Sequence, residues 1–148
     1  MNLRKTVATA ALAALPVLFA CDPRGIFTGT FNTTSTLTIT FAGSAPSTTT
    51  TQGPLSVVSS ETDPTRILIQ AQCPLSAWVN SEAFVVDPVT CPAISSAECT
   101  SIVLTVEDGS GYCERGTNLN YSTLGSVAAT CTGGARTGTF TTSNIGEK

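Results

Sequence analysis

Cysteine is the residue type with the clearest chemical potential in this chain of 148 residues, which contains six cysteines and no histidine. Without histidine, a single copy cannot supply Ser-His-Asp or Cys-His catalysis, or zinc ligation by imidazole. The cysteines include no Cys-x-x-Cys pair of the kind that zinc and iron–sulfur sites use. We therefore expect no metal or other cofactor, and a protein that is not an enzyme.

Acidic side chains offer a weaker possibility. Glu107, Asp108 and Glu114 flank an Asp-Gly-Ser-Gly sequence, and a turn there would bring up to three carboxylates together, as calcium requires. Exposed charges at a hairpin tip are the ordinary alternative, and the spacing fits no EF-hand loop. A glycosidase would need two acidic residues facing each other across a cleft, and the sequence does not place its candidates, which are Glu61, Glu82 and Glu98.

Aromatic residues could form a platform for a sugar or line a site for an apolar ligand. The four candidates are Trp78, Phe84, Tyr112 and Tyr121. The alternative is that they fill the core. Because only 6% of the chain is aromatic, core packing is the simpler interpretation.

The first residues are typical of a signal peptide. Arg4 and Lys5 precede an apolar run over residues 7–20, and Cys21 follows at once. The run is shorter than the roughly 20 residues that a membrane-spanning helix needs, and Pro16 interrupts it. We therefore predict a leader over residues 1–20 that is removed from the mature protein.

The sequence Leu18, Phe19, Ala20, Cys21 resembles the lipobox of bacterial lipoproteins. The resemblance implies that the Cys21 thiol receives a diacylglycerol and that cleavage before Cys21 makes it the acylated mature N-terminus. Two or more acyl chains would anchor the protein stably in a membrane of the bacterial cell envelope, with its domain outside the cytoplasm. Cleavage by an ordinary signal peptidase without lipid attachment, or a Cys21 that is simply buried, are the alternatives.

Asp22 and the overall charge bear on location and partners. Asp22 follows the cysteine directly, where an aspartate resembles the signal that retains lipoproteins in the inner membrane of enteric bacteria. The alternative is that Asp22 and Pro23 begin an extended tether. The choice between inner and outer membrane therefore stays open. Removal of Arg4 and Lys5 leaves 5 basic residues against 10 acidic ones. This acidic balance argues against a nucleic-acid partner. An envelope protein or polymer is the partner that fits.

Five cysteines remain if Cys21 carries lipid, in a compartment where disulfides persist. They predict two disulfides and one spare thiol, which is either buried or available to another molecule. Cys91 and Cys99 bracket only seven residues and are the first expected pair. Cys73 with Cys131 is the preferred second pair, which leaves Cys113 spare.

Alternation of apolar and hydroxylated residues predicts strands after the leader. Apolar residues occupy odd positions from Phe27 to Phe41, and threonines occupy most of the even ones. Residues 67–73 and 102–106 show similar patterns. Turns are expected at residues 80–81, 108–111 and 133–134, and a long exposed loop over residues 43–53. The segments 29–31 and 138–140 could pair and close the sheet.

These patterns predict one all-β domain over residues 26–148, behind a short tether at 21–25, as an antiparallel β-sandwich or small barrel with disulfides. The leading functional hypothesis is a lipid-anchored, non-catalytic structural or interaction module of the cell envelope. The alternative is a lipid-anchored binding protein for a small hydrophobic ligand. Its mark would be a cavity lined by odd-position residues such as Phe31, Ile39, Phe41 and Ile69.

Overall fold

The computed structural model describes residues 22–148, so the predicted leader, the lipobox-like residues and Cys21 lie outside the described residues. A short 3₁₀ helix (Pro23–Ile26) is followed by nine strands: β1 (Gly29–Phe41), β2 (Ser47–Ser59), β3 (Arg66–Gln70), β4 (Leu75–Asn80), β5 (Ala83–Val86), β6 (Val89–Thr90), β7 (Cys99–Glu114), β8 (Asn118–Cys131) and β9 (Gly134–Glu147). Within this part of the chain, no helix is both long and apolar enough to cross a membrane.

All nine strands belong to one antiparallel sheet, in the order β5-β4-β3-β2-β1-β9-β8-β7-β6. The sheet closes because β5 also pairs with β7, at Ser110–Tyr112, beside the stretch of β7 that pairs with β6. The predicted all-β class is confirmed, and the closure makes it a barrel. The prediction that segments 29–31 and 138–140 pair is wrong: β1 and β9 are neighbours, but residues 138–140 pair with residues 39–41, and the β1–β9 ladder begins only at Asn32.

The predicted alternation on β1 is confirmed and divides an inner from an outer face. Phe31 and Thr33 are buried inside. Outside, the hydroxyl of Thr36 lies 3.3 Å from that of Thr50, and the hydroxyl of Thr38 lies 3.0 Å from that of Thr48. Cross-strand pairs of this kind stabilise a sheet. The residues predicted as an exposed loop over 43–53 therefore form a turn and then most of β2, because β-branched threonines favour the strand.

One end of the barrel is filled by aromatic side chains. Phe27, Phe31 and Phe84 are at most 1% exposed, and the rings of Phe27 and Phe84 meet edge to face with centroids 5.4 Å apart. The 3₁₀ helix closes this end, and Arg24 fixes it by donating hydrogen bonds to the carbonyl oxygens of Ser60 and Asp63. We call it the closed end.

Asp22 caps the 3₁₀ helix. Its carboxylate accepts hydrogen bonds from the Arg24 backbone N–H and guanidinium, and the hydrogen bond to the guanidinium lowers the pKa of Asp22 below its usual value. Residues 22–25, predicted to belong to a tether, are instead part of the structure that closes the barrel.

The turn predicted at residues 108–111 is wrong, because β7 continues through it. Gly111 faces inward, where a Cβ atom would lie 2.4 Å from the Phe84 ring and 2.5 Å from the Tyr121 Cβ. Glycine serves here to let large neighbouring side chains approach the backbone, and it does not make a turn. The other two predicted turns are confirmed: residues 81–82 join β4 to β5, and residues 132–133 join β8 to β9.

The four cysteines predicted to form disulfides do so, but the predicted pairs are wrong. The bonds join Cys73 to Cys91 and Cys99 to Cys131. The backbone N–H of Cys91 donates to the carbonyl of Leu104, so Cys91 lies five residues along β7 from Cys99. Five residues of strand span roughly 17 Å, well beyond the roughly 7 Å that a disulfide can bridge between Cα atoms. Cys131 faces Cys99 directly across the β7–β8 pair.

Cys113 is the free cysteine of the described residues, as predicted, and it is buried in the core. Burial raises the pKa of its thiol, so the thiol stays protonated and unreactive in the folded protein. Of the two interpretations of the spare thiol, the structure supports the buried one.

Candidate ligand cavity

A cavity of about 630 Å³ lies inside the barrel, between the closed end and the opposite rim. Its walls come from several strands and are more apolar than polar. The apolar residues include Leu37, Ile39, Leu55, Leu75, Leu104 and Phe140, and threonine, serine and glutamine residues line much of the remainder. Among the described residues that line it, none is Asp, Glu, Lys or Arg. The cavity is therefore an uncharged compartment whose wall is mainly apolar.

The cavity is open because β2 is longer than its neighbour. β2 pairs with β3 only over Ser56–Ser59, so residues 47–54 have no strand partner on that side among residues 22–148. Across the opening lie Ile94 and Ser95, in a segment that runs beside β7. The Cys73–Cys91 disulfide ties this segment to the loop between β3 and β4. We call this opening the mouth.

Polar side chains form the deep part of the cavity. Tyr121 and Thr123 on β8 lie directly opposite Asn144 and Thr142 on β9, and all four line the cavity. Cross-strand neighbours and residues two apart share one face of a sheet, so these side chains make a two-by-two patch, which we call the polar patch. Tyr121, Thr123 and Asn144 are 5% to 7% exposed.

Hydrogen bonds within the polar patch centre on the Thr142 hydroxyl. Its oxygen lies 3.2 Å from the backbone nitrogen of Thr123 and 3.1 Å from the Asn144 side-chain nitrogen, and both nitrogens donate to it. A hydroxyl accepts two hydrogen bonds and donates one. The Thr142 proton therefore goes to the Thr123 oxygen, 2.8 Å away. This leaves the Thr123 proton free to be donated.

Two more polar groups of the patch have no protein partner within residues 22–148. These are the Asn144 side-chain oxygen, which accepts no hydrogen bond, and the Tyr121 hydroxyl, which forms none. No fully enclosed side-chain nitrogen or oxygen of the described residues is left unpaired, so both atoms face open space. Burial raises the pKa of Tyr121 to about 12, so its hydroxyl is neutral and remains a donor at physiological pH.

The candidate calcium ligands do not come together. Because β7 runs straight through the predicted turn, Asp108 and Glu114 lie six residues apart on one strand, a separation of roughly 20 Å. Within residues 22–148, no group of acidic, cysteine or histidine side chains is close enough to hold a metal ion. The calcium prediction at Glu107, Asp108 and Glu114 is therefore wrong.

The aromatic candidates divide between the two faces of the sheet. Trp78 and Tyr112 are 43% and 52% exposed on the outside, whereas Phe84 is buried in the core. They form no common platform. Tyr121 alone of the four lines the cavity, through its place in the polar patch.

The residues named as marks of a ligand cavity are also divided. Ile39 lines the cavity, whereas Phe31 and Ile69 are fully buried in the core. Phe41 packs under the Arg136 guanidinium, whose carbon lies 4.5 Å from the ring centroid. The polar patch was missed at the sequence level, although Thr123 and Asn144 occupy inward positions in alternating strands.

Comparisons with known proteins give no relative: no protein-family model, curated protein or solved structure matches this chain. The fold and the cavity are thus the basis for assigning a function.

Proposed function

We propose that the protein binds a small, uncharged and largely apolar molecule in the barrel. The observation that carries the proposal is the uncharged cavity of about 630 Å³ with mainly apolar walls. Small-molecule sites commonly measure about 300–1,000 Å³ and combine hydrophobic walls with a few polar groups. The cavity has this composition. Transfer of an apolar molecule from water to such walls is favourable in proportion to the apolar surface that is buried.

A lipid anchor at Cys21 belongs to the same proposal, and the fold gives it an orientation. Asp22, the next residue, lies at the closed end of the barrel. β1 runs from this end for 13 residues towards the rim, and the mouth opens in the side of the barrel along residues 47–54 of β2, which pair with residues 32–39 of β1. An anchored protein would therefore hold the rim away from the bilayer and open its mouth sideways to the aqueous compartment, so the ligand would enter from that compartment or from a partner.

Native mass spectrometry of the protein, released from its own membranes in mild detergent, tests this proposal. We expect a chain that begins at an acylated Cys21 and carries a noncovalent molecule, which is lost when the same sample is denatured. Repeated recovery of the chain without a bound molecule, even after incubation with apolar compounds, would contradict a binding function.

The interaction-module hypothesis remains a second candidate, favoured by the free edge of β2. Residues 47–53 carry no charge, and they expose backbone groups that an added strand could pair with. The same native spectrum distinguishes this function, since a β2-mediated partner would be retained as a second polypeptide. Detection of a single polypeptide with a bound small molecule would favour the cavity as the functional site.

Replacement of Cys21 by serine tests the anchor. Serine offers no thiol for the diacylglycerol, so we predict loss of the lipid-labelled, membrane-bound form in cells grown with a radiolabelled fatty acid. Cys113→Ser is a matched control, because Cys113 is buried in the domain and should not carry lipid. Normal labelling and membrane retention of the Cys21→Ser chain would show that the lipobox resemblance is misleading.

A further inference from the structure

We propose that the polar patch binds a hydroxyl group, and that the ligand is a neutral amphiphile with an alcohol head and an apolar chain. This inference rests on the proposed binding function and adds the class of ligand. It is carried by three groups of the patch that lack protein partners and belong to residues only 5% to 7% exposed: the Tyr121 hydroxyl, the Thr123 hydroxyl proton and the Asn144 side-chain oxygen.

The free groups match the hydrogen-bonding capacity of an alcohol. Tyr121 and Thr123 each offer a proton, and Asn144 offers an acceptor. An alcohol oxygen accepts two hydrogen bonds and donates one. A bound alcohol would therefore satisfy all three groups of the patch, whereas an alkane would leave them unpaired in an enclosed site, which is costly.

Charged heads are disfavoured because the site offers no counter-ion. Cations at the ends of the barrel are engaged elsewhere. At the closed end, Arg24 pairs with Asp22, and Lys148 lies over the Phe31 ring and donates to the Ile26 carbonyl. At the rim, Arg136 donates to Ser44 in the turn between β1 and β2. A carboxylate or an ammonium in the patch would lose its hydration without gaining an opposite charge.

The apolar walls fix the direction of the chain. Leu37 lies opposite Thr142, beside the patch. Ile39 and Leu104 lie further towards the mouth and also line the cavity. A ligand with its hydroxyl on the patch would therefore extend its hydrocarbon chain along these side chains towards the mouth.

A competition experiment tests this assignment. The mature protein, in a fixed amount of non-ionic detergent, is incubated with an equimolar mixture of deuterium-labelled dodecanol, dodecanoate, dodecylamine and dodecane. Free compounds are removed by gel filtration, and the bound ones are measured after denaturation. We expect dodecanol to be retained at least tenfold over each of the others. Equal retention of dodecane and dodecanol, or preference for a charged compound, would overturn the assignment.

Tyr121→Phe removes one donor and keeps the ring. Because the Tyr121 hydroxyl has no protein partner within residues 22–148, the variant should unfold at the same temperature as the wild type. We expect it to bind dodecanol about fivefold more weakly, which is the effect of one lost hydrogen bond, and to bind dodecane unchanged. Tyr112→Phe is the matched control. It alters the other tyrosine of the chain, which lies exposed on the outer face, and it should leave the binding of both dodecanol and dodecane unchanged.

Thr123→Val, a second variant that is close in shape, removes the other free proton and should also lose dodecanol selectively. Because it removes the acceptor of the Thr142 proton as well, its unfolding temperature is measured beside its binding. Unchanged dodecanol retention in both Tyr121→Phe and Thr123→Val would refute the role of the patch. Failure of all four compounds to bind the wild-type protein would count against the proposed binding function itself. Binding of all four without preference would leave that function standing and refute the alcohol assignment alone.

Discussion

Replacement of Phe27 by alanine should lower the free energy of unfolding by about 3–5 kcal/mol, the cost typical of removing a fully buried phenylalanine. Phe27 is completely enclosed at the closed end, where its ring meets the edge of Phe84. The 3₁₀ helix fixes the position of Phe27 through Arg24, so the surroundings have little freedom to collapse into the space. Urea unfolding, followed by the fluorescence of Trp78, measures the change.

Phe41→Ala is the matched control for this prediction. Phe41 lies near the open rim, half-buried beneath Arg136, so its removal should cost only about 1 kcal/mol. If the two variants lost equal stability, the closed end would not be the main packing centre of the barrel.

The inner and outer faces of β1 and β3 could be predicted because both strands alternate with period two, whereas a bulge between Val106 and Asp108 shifts the alternation on β7. On β1, odd residues point inward and even threonines point outward, as the period-two pattern requires. The same rule gives the buried Ile67 and Ile69 on β3. Local alternation is sufficient to predict which side chains point inward on these strands, because it does not depend on the order of strands in the sheet.

The errors arise where a residue type has two structural uses. A run of threonines is typical of both exposed loops and strands. Here the threonines of residues 48–51 form a strand because they pair with β1. Asp-Gly-Ser-Gly is a strong turn signal, yet Gly109 and Gly111 provide room for large inward side chains within β7. These outcomes depend on contacts between residues distant in sequence, which a local pattern does not contain.

The cavity depends on closure of the sheet and on unequal strand lengths, so its volume and mouth could not be predicted from the sequence. The polar patch, in contrast, had a readable signal. Thr123 interrupts an otherwise mostly apolar inward series on β8 that includes Leu119 and Val127, and Asn144 is a polar residue at a buried position of β9. Polar residues at inward positions of a strand mark either a hydrogen-bonded core network or a ligand site.

Removal of either disulfide should cost about 3–4 kcal/mol of stability, but only one removal should impair ligand binding. The bonds span 18 and 32 residues of sequence, and the entropy of closing such loops differs little between them. Cys73 and Cys91 line the cavity and hold one side of its mouth, whereas Cys99 and Cys131 do not border it. The pair Cys73→Ser with Cys91→Ser should therefore lose at least fivefold in dodecanol retention.

The double variant Cys99→Ser with Cys131→Ser is the control for stability, because it loses a disulfide of comparable loop length whose cysteines do not line the cavity. Urea unfolding should give similar losses for the two double variants, and gel filtration with labelled dodecanol should separate them. An equal loss of binding in both would mean that retention follows global stability. A loss confined to the Cys73 and Cys91 variant would show that this bond keeps the mouth in the shape that holds the ligand.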